Sequence, residues 1–141
     1  MPEVDESRIR ESFARQRHMA TLGATIAHIG PGEVHLAMPY DERFCQQNGF
    51  VHAGAIASLA DSANGYAAYT LAPPETDVLA VEFKINLLEP AKASGFLARA
   101  RVLRPGRTLS VCQAEVVTTD ADARLVATMT STIIIRRLGR A

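Results

Sequence analysis

Between Asn48 and Pro74 the chain carries a single formal charge, Asp61, set among Leu59, Ala60 and Ala63. A carboxylate held in an apolar helix face is desolvated, which disfavours its charged form and raises its pKa. Such a group can act as a general base near neutral pH or attack an electrophilic carbon itself. Just upstream, the stretch Gln46-Gln47-Asn48-Gly49-Phe50-Val51-His52 leads into Ala53-Gly54. A helix starting there offers unpaired backbone N–H groups and the positive end of its dipole. The small residues Ala53 and Gly54 let a carbonyl oxygen approach those donors, which would make an oxyanion site. Gln46 is the candidate second donor to that carbonyl, or an orienter of water, with Asn48 its rival for the same work. His52 would orient the loop or the acyl group. Gly49, Gly54 and Gly65 are read either as parts of this site or as backbone and packing devices. A carboxylate beside a polarised carbonyl is the equipment for acyl transfer to water.

These residues need a frame. The Gly54–Leu71 run is Ala-rich, strong in helix propensity despite Gly65, and ends before Pro73-Pro74. A helix apolar almost all round is normally buried, and at 1.5 Å per residue this one is about 27 Å long, the span of a small core. Ahead of it, Asp5 to about His18 reads as a short polar helix, with Ile9, Phe13, Ala14 and Arg17 at helical spacing. Thr21 to Tyr40 reads as two strands about the Gly30-Pro31-Gly32 turn. After the helix, Val81, Phe83, Ile85 and Leu87 alternate with Glu82, Lys84 and Asn86. Three further strands follow, over Phe96–Leu103, Leu109–Thr118 and Leu125–Arg136, separated by the turns Arg104-Pro105-Gly106-Arg107 and Asp120-Ala121-Asp122-Ala123. The pattern predicts an α+β fold, a curled antiparallel sheet around one long helix.

The 141 residues suit one domain, 1–141, with an N-terminal helical extension over residues 1–20. Formal net charge is zero, which argues against a broad grip on nucleic acid or an anionic membrane. Cys45 and Cys112 are isolated, which fits reduced thiols; Cys112 alternates within a strand as a core residue would. His18, His28 and His35 have no spacing suggesting metal ligation, and none is expected. The charged N-terminus has no apolar signal core, and no run approaches a membrane span. A cytoplasmic protein is expected.

The segment Gln46-Gln47-Asn48-Gly49-Phe50-Val51-His52-Ala53-Gly54 followed by AIASLADSANGYA resembles the hotdog-fold thioesterases of the phenylacetyl-CoA thioesterase (PaaI-like) family. That family shows Gln or Asn, then Gly, then His-Gly-Gly opening the central helix, with an acid nine residues after the His. Gln46, Gly49, His52 and Asp61 occupy those positions here. VEFKINLLEPA, RPGRTLSVCQAEV and ATMTSTI extend the likeness over most of the chain from about Phe44. Two departures stand out: Ala53 replaces the first Gly, and Gly65 and about Ala80 stand where relatives carry a water-assisting Ser or Thr. Ser62, Asn64 or a partner-subunit residue are the candidates for that role. The resemblance implies hydrolysis of acyl-CoA to a free acid and CoA, with CoA part of the substrate and no cofactor. It implies a homodimer joined edge to edge, often paired into a tetramer, with Gln46, His52 and Ala53 from one chain and Asp61 from the other. In similar proteins the region of Arg104 and Arg107 lies near the CoA phosphates, to which a forked guanidinium is suited; the plain alternative is a solvated turn. Lys84 and Asn86 face solvent, an interface or the CoA. Two other readings compete: a hotdog enoyl-CoA hydratase and a non-catalytic acyl-CoA-binding module.

Overall fold

The strands are β1 (Thr25–Gly30), β2 (Glu33–Pro39), β3 (Thr76–Leu87), β4 (Gly95–Arg104), β5 (Leu109–Thr118) and β6 (Leu125–Arg137). They pair antiparallel in the spatial order β1-β2-β4-β5-β6-β3, in a computed structural model that describes residues 3–139. The sheet curls around helix α3 (Ala53–Leu71), the hotdog arrangement. The inward residues show why the sequence settles there. Val34, Leu36 and Met38 of β2, Phe96, Ala98 and Ala100 of β4, Cys112, Ala114 and Val116 of β5, and Ala127, Met129 and Ile133 of β6 alternate at period two and are buried. Against them α3 buries Ile56, Leu59, Ala60, Ala63 and Ala67. Truncating the fully buried Leu59 to Ala would cost about 2–5 kcal/mol.

Three expectations are corrected. The N-terminal polar segment is two helices, α1 (Glu6–Ala14) and α2 (Arg17–Leu22), not one. The break falls at Arg15-Gln16, where Arg15 N–H and Gln16 N–H bond to Ser12 O and Phe13 O in tight final turns. The buried anchors are Ile9, Met19 and Leu22, whereas Ala14 and Arg17 are exposed, because the turn at Gln16 resets the helical phase. Thr21 and Leu22 therefore belong to α2, which Gly23 ends in the left-handed region (φ 71°), and the first strand starts at Thr25. Finally, β3 starts at Thr76, and a register shift between Ala80 and Glu82 takes Val81 out of the alternation with Phe83, Ile85 and Leu87.

One edge of the sheet is β1 and the other is β3. On β3, Val81 is 58% exposed, Phe83 46% and Leu87 55%. A long edge strand with apolar residues open to water is a template for strand pairing.

Candidate active site

The loop before α3 is held as a miniature hairpin. Cys45 and Val51 form a bridge, Gln46 N–H donates to Phe50 O at 2.8 Å, and His52 N–H donates to Phe44 O at 2.8 Å. Gly49 turns the chain at φ 82°, a conformation that favours glycine. Its carbonyl accepts from Tyr40 Oη at 2.9 Å, which ties the turn to the end of β2. Within this turn Gln46 Oε1 accepts from the N–H groups of Asn48 and Phe50. That orientation leaves the Gln46 Nε2 amide to donate outward. Asn48, the rival donor, is exposed at the tip of the turn and does not line the cleft beside Gln46.

Helix α3 begins at Ala53, one residue before the expected start, and its N-cap is His52, whose Nδ1 accepts from Gly54 N–H at 2.8 Å. The Gly54 donor is thereby engaged inside the chain. The Ala53 N–H, at the first helical position, has no intrahelical acceptor to seek. With Nδ1 accepting, the neutral His52 ring carries its proton on Nε2, so the exposed face of the imidazole is a donor. Gln46, His52 and Ala53 border a cleft of about 520 Å³ with Phe50, Leu87 and Val126. Glu89 also borders it, but Arg124 Nη1 holds its carboxylate at 3.0 Å.

Asp61 is elsewhere. It lies eight residues along α3 from Ala53, about 12 Å down the axis, in a separate cleft of about 350 Å³. Its Oδ1 is buried and has no hydrogen-bond donor among the described residues. Desolvation by burial raises its pKa above the ordinary carboxylate value of 3.8. The cleft runs between α3 and the start of β3, from Asp61 and Gly65 to Val78 and Ala80, under a roof of Ser12 and Gln16. That roof is tied down: Ser62 Oγ donates to Gln16 Oε1 at 3.2 Å, and Gln16 Nε2 donates to Tyr66 Oη at 3.2 Å. Ser12 Oγ lies 3.1 Å from the same tyrosine oxygen.

Of the candidates for a water-assisting hydroxyl or amide, Ser62 is at the Asp61 cleft. Asn64 turns the other way, donating from Nδ2 to Ser131 Oγ at 2.8 Å in the core. Lys84 and Asn86 pair with Thr130 and Thr128, on the sheet face opposite to α3 and away from both clefts. Arg104 ends β4 and Arg107 lies in the turn to β5; both are exposed, at the end of the sheet where Ile135 N–H donates to Thr108 O. Gly106 in that turn is obligatory, since a Cβ there would fall 1.8 Å from Leu109 O. Burial pushes the Cys112 thiol up to about 12, which suits a core residue and not a nucleophile. Sequence reasoning missed Ser12, Arg15 and Gln16, which line the Asp61 cleft from more than forty positions away. No local pattern marks such residues.

Among the described residues no helix is long and apolar enough to cross a membrane. The thioesterase superfamily model matches residues 48–123. A crystal structure of a thioesterase family protein from Silicibacter pomeroyi superposes with a TM-score of 0.91 at 48% identity, over 94% of this chain and 98% of that one. The Escherichia coli 1,4-dihydroxy-2-naphthoyl-CoA hydrolase is 30% identical over 95 residues, 67% of this chain and 70% of its own. The E. coli PaaI protein from the phenylacetic acid degradation operon shares the fold, with a TM-score of 0.82 at 23% identity over 92% and 90% of the two chains.

Proposed function

The chain belongs to the thioesterase superfamily, and from that premise we propose that it hydrolyses an acyl-CoA thioester to a carboxylic acid and CoA. The observation that carries the reading is the buried, donorless Oδ1 of Asp61, the single charge of an otherwise uncharged helix. Asp61 takes a proton from water as the water oxygen bonds to the thioester carbon. The carbonyl oxygen gathers negative charge against Ala53 N–H, with the Gln46 amide as second donor, and His52 Nε2–H lies ready for the acyl group. Collapse of the tetrahedral adduct breaks the C–S bond, and the proton held by Asp61 leaves with the CoA thiolate. Removing one oxyanion donor typically costs about 10²–10³ in rate. The step as proposed uses side chains, the Ala53 backbone N–H and water, and CoA is part of the substrate.

Two copies of the chain supply one site in this reading. Leu87 at the end of β3 borders the Gln46 cleft, while Val78 and Ala80 near its start border the Asp61 cleft. Ala80 and Leu87 are seven positions apart, about 23 Å of strand. If two β3 edges pair antiparallel about a two-fold axis, the start of one strand lies beside the end of the other. Asp61 of one copy then approaches Gln46, His52 and Ala53 of its partner, and the exposed Val81, Phe83 and Leu87 are covered. Arg104 and Arg107 serve the CoA phosphates from the sheet end, with Lys84 and Asn86 as weaker candidates on the outer face. Pairing of two dimers into a tetramer and a cytoplasmic location, alongside CoA metabolism, complete the proposal.

Thiol release from a panel of aliphatic and aromatic acyl-CoAs, with Asp61→Ala beside the native protein, tests it. Turnover that collapses in a folded mutant supports the reading. Binding without turnover points to a carrier module, and hydration of crotonyl-CoA points to a hydratase. Single turnover in ¹⁸O water separates the two chemical routes, since label entering the Asp61 carboxylate marks direct attack.

A further inference from the structure

Gly65 is in the interior of α3, where glycine is the poorest helix former after proline. Every other described glycine has a local reason: a positive φ, or a Cβ that would come within 3.1 Å of a neighbour. Gly65 has neither, and a Cβ built on it meets nothing within 4 Å. The backbone therefore does not ask for glycine here. What the missing side chain leaves is space, and that space has an address. Gly65 is one turn beyond Asp61, about 6 Å along the axis, in the same cleft.

The N-terminal segment runs antiparallel along α3 and stops short of this stripe. His18 Nε2 meets Ser58 Oγ at 2.9 Å, Gln16 meets Ser62 and Tyr66, Ser12 meets Tyr66, and Arg8 lies over the Tyr69 ring at 4.1 Å and donates to Ala72 O at 3.0 Å. The contacts fall on 58, 62, 66 and 69, and leave 61 and 65 open between the segment and β3. We propose that Gly65 is a specificity-determining residue, its absent side chain giving the distal part of the acyl group a place beside Asp61 under the roof of Ser12 and Gln16. This rests on the acyl-CoA reading above. At about 350 Å³ the cleft has room for an acyl group of ring size, against a wall of Tyr66, Tyr69, Val78 and Leu79. Acetyl would leave it mostly empty.

The test is binding, which does not depend on turnover. Affinities of S-ethyl-, S-hexyl- and S-phenethyl-CoA thioethers are measured by calorimetry on the native protein, Gly65→Ala and Gly65→Leu. The expected result is a graded fall in the preference for the large groups over ethyl, roughly tenfold or more for Gly65→Leu, about the loss of two buried methylenes. Gly65→Ala should also raise Tm by about 3–4 °C, since alanine is the better helix former. An unchanged preference in a folded Gly65→Leu overturns the proposal. So does a Tm that falls in Gly65→Ala with a weaker dimer, because a partner subunit would then fill the space. Thiol release on the same preparations reads out hydrolysis separately, so a binder that does not turn over sinks the enzymatic reading and leaves the pocket assignment to the affinities. Absence of binding to any thioether overturns both.

Discussion

Replacing Asp61 with Asn should make the protein more stable and almost inactive, with a pH dependence that identifies the cause. Folding raises the Asp61 pKa above its ordinary 3.8, through loss of solvent around the carboxylate. The folded chain therefore holds the proton more tightly than the unfolded one. Between 3.8 and the raised value the unfolded state has already released its proton, and stability falls as pH rises through that window. Above the window the ionised group is a constant load; below 3.8 it costs nothing. Leaving a polar group desolvated costs about 1–3 kcal/mol and more when it is charged. Asparagine keeps the neutral part of that cost and sheds the part due to charge, and because Asp61 is only half-buried about 1 kcal/mol is the expected gain. For a chain of this size that is a rise in Tm of about 3–4 °C in Asp61→Asn at pH 8, shrinking toward zero near pH 4. Loss of a general base should lower kcat about 10²–10⁴-fold. In the native enzyme kcat/KM should fall on the acid side at a pH above the ordinary carboxylate range. Calorimetry from pH 4 to 8 at fixed protein concentration, with thiol release beside it, measures all three. If Asp61→Asn is less stable than the native protein at pH 8, the carboxylate is paired in the assembled protein and the desolvated-base reasoning fails.

Asp61→Ala and Gln46→Ala should each be inactive alone, yet co-expressed they should recover about a quarter of native turnover, because half the dimers then carry one intact shared site; no recovery would place both residues in one chain's site. Phe83→Asp on β3 should weaken the dimer in sedimentation and lower activity in parallel, since a charge on an edge strand opposes pairing. Arg104→Ala with Arg107→Ala should raise KM for acyl-CoA several-fold with kcat little changed, and should have no effect on acyl-N-acetylcysteamine, which lacks the phosphates. Gly49→Ala should lower Tm by several degrees, as a φ of 82° costs a non-glycine residue about 1–2 kcal/mol.

The central helix and the later strands were legible because burial writes periodicity into the chain. The alternation at Leu109–Thr118 gave that strand its bounds, and Ala-rich apolarity ending at Pro73-Pro74 gave α3 to within a residue. The N-terminus was not legible, because Ile9, Met19 and Leu22 do not share one helical phase; the turn at Gln16 is set by bonds to Ser62 and Tyr66, about fifty residues on. The register shift near Val81 likewise carries no local signal. At the site, the residue types and the spacing of Gln46, His52 and Asp61 could be read, but not that Gln46 Oε1 and Gly54 N–H are engaged within their own loop. Those bonds depend on how the nine residues from Gln46 to Gly54 fold back on themselves.

What unites the site is where α3 departs from an ideal buried helix. A charge and a glycine stand one turn apart, at 61 and 65, and each makes the helix less stable than its obvious replacement would. Neither has a packing reason in the surrounding chain: Asp61 Oδ1 has no donor, and the place of a Gly65 side chain is empty. Stability is commonly sacrificed at functional sites, where a group must stay unsatisfied until the substrate arrives. The N-terminal segment borders that opening on one side. Its contacts run along the neighbouring stripe at Ser58, Ser62, Tyr66 and Tyr69, so the opening at 61 and 65 is bonded along its N-terminal side. An opening beside a desolvated carboxylate, left by a residue with no side chain, suits a group the chain does not itself contain.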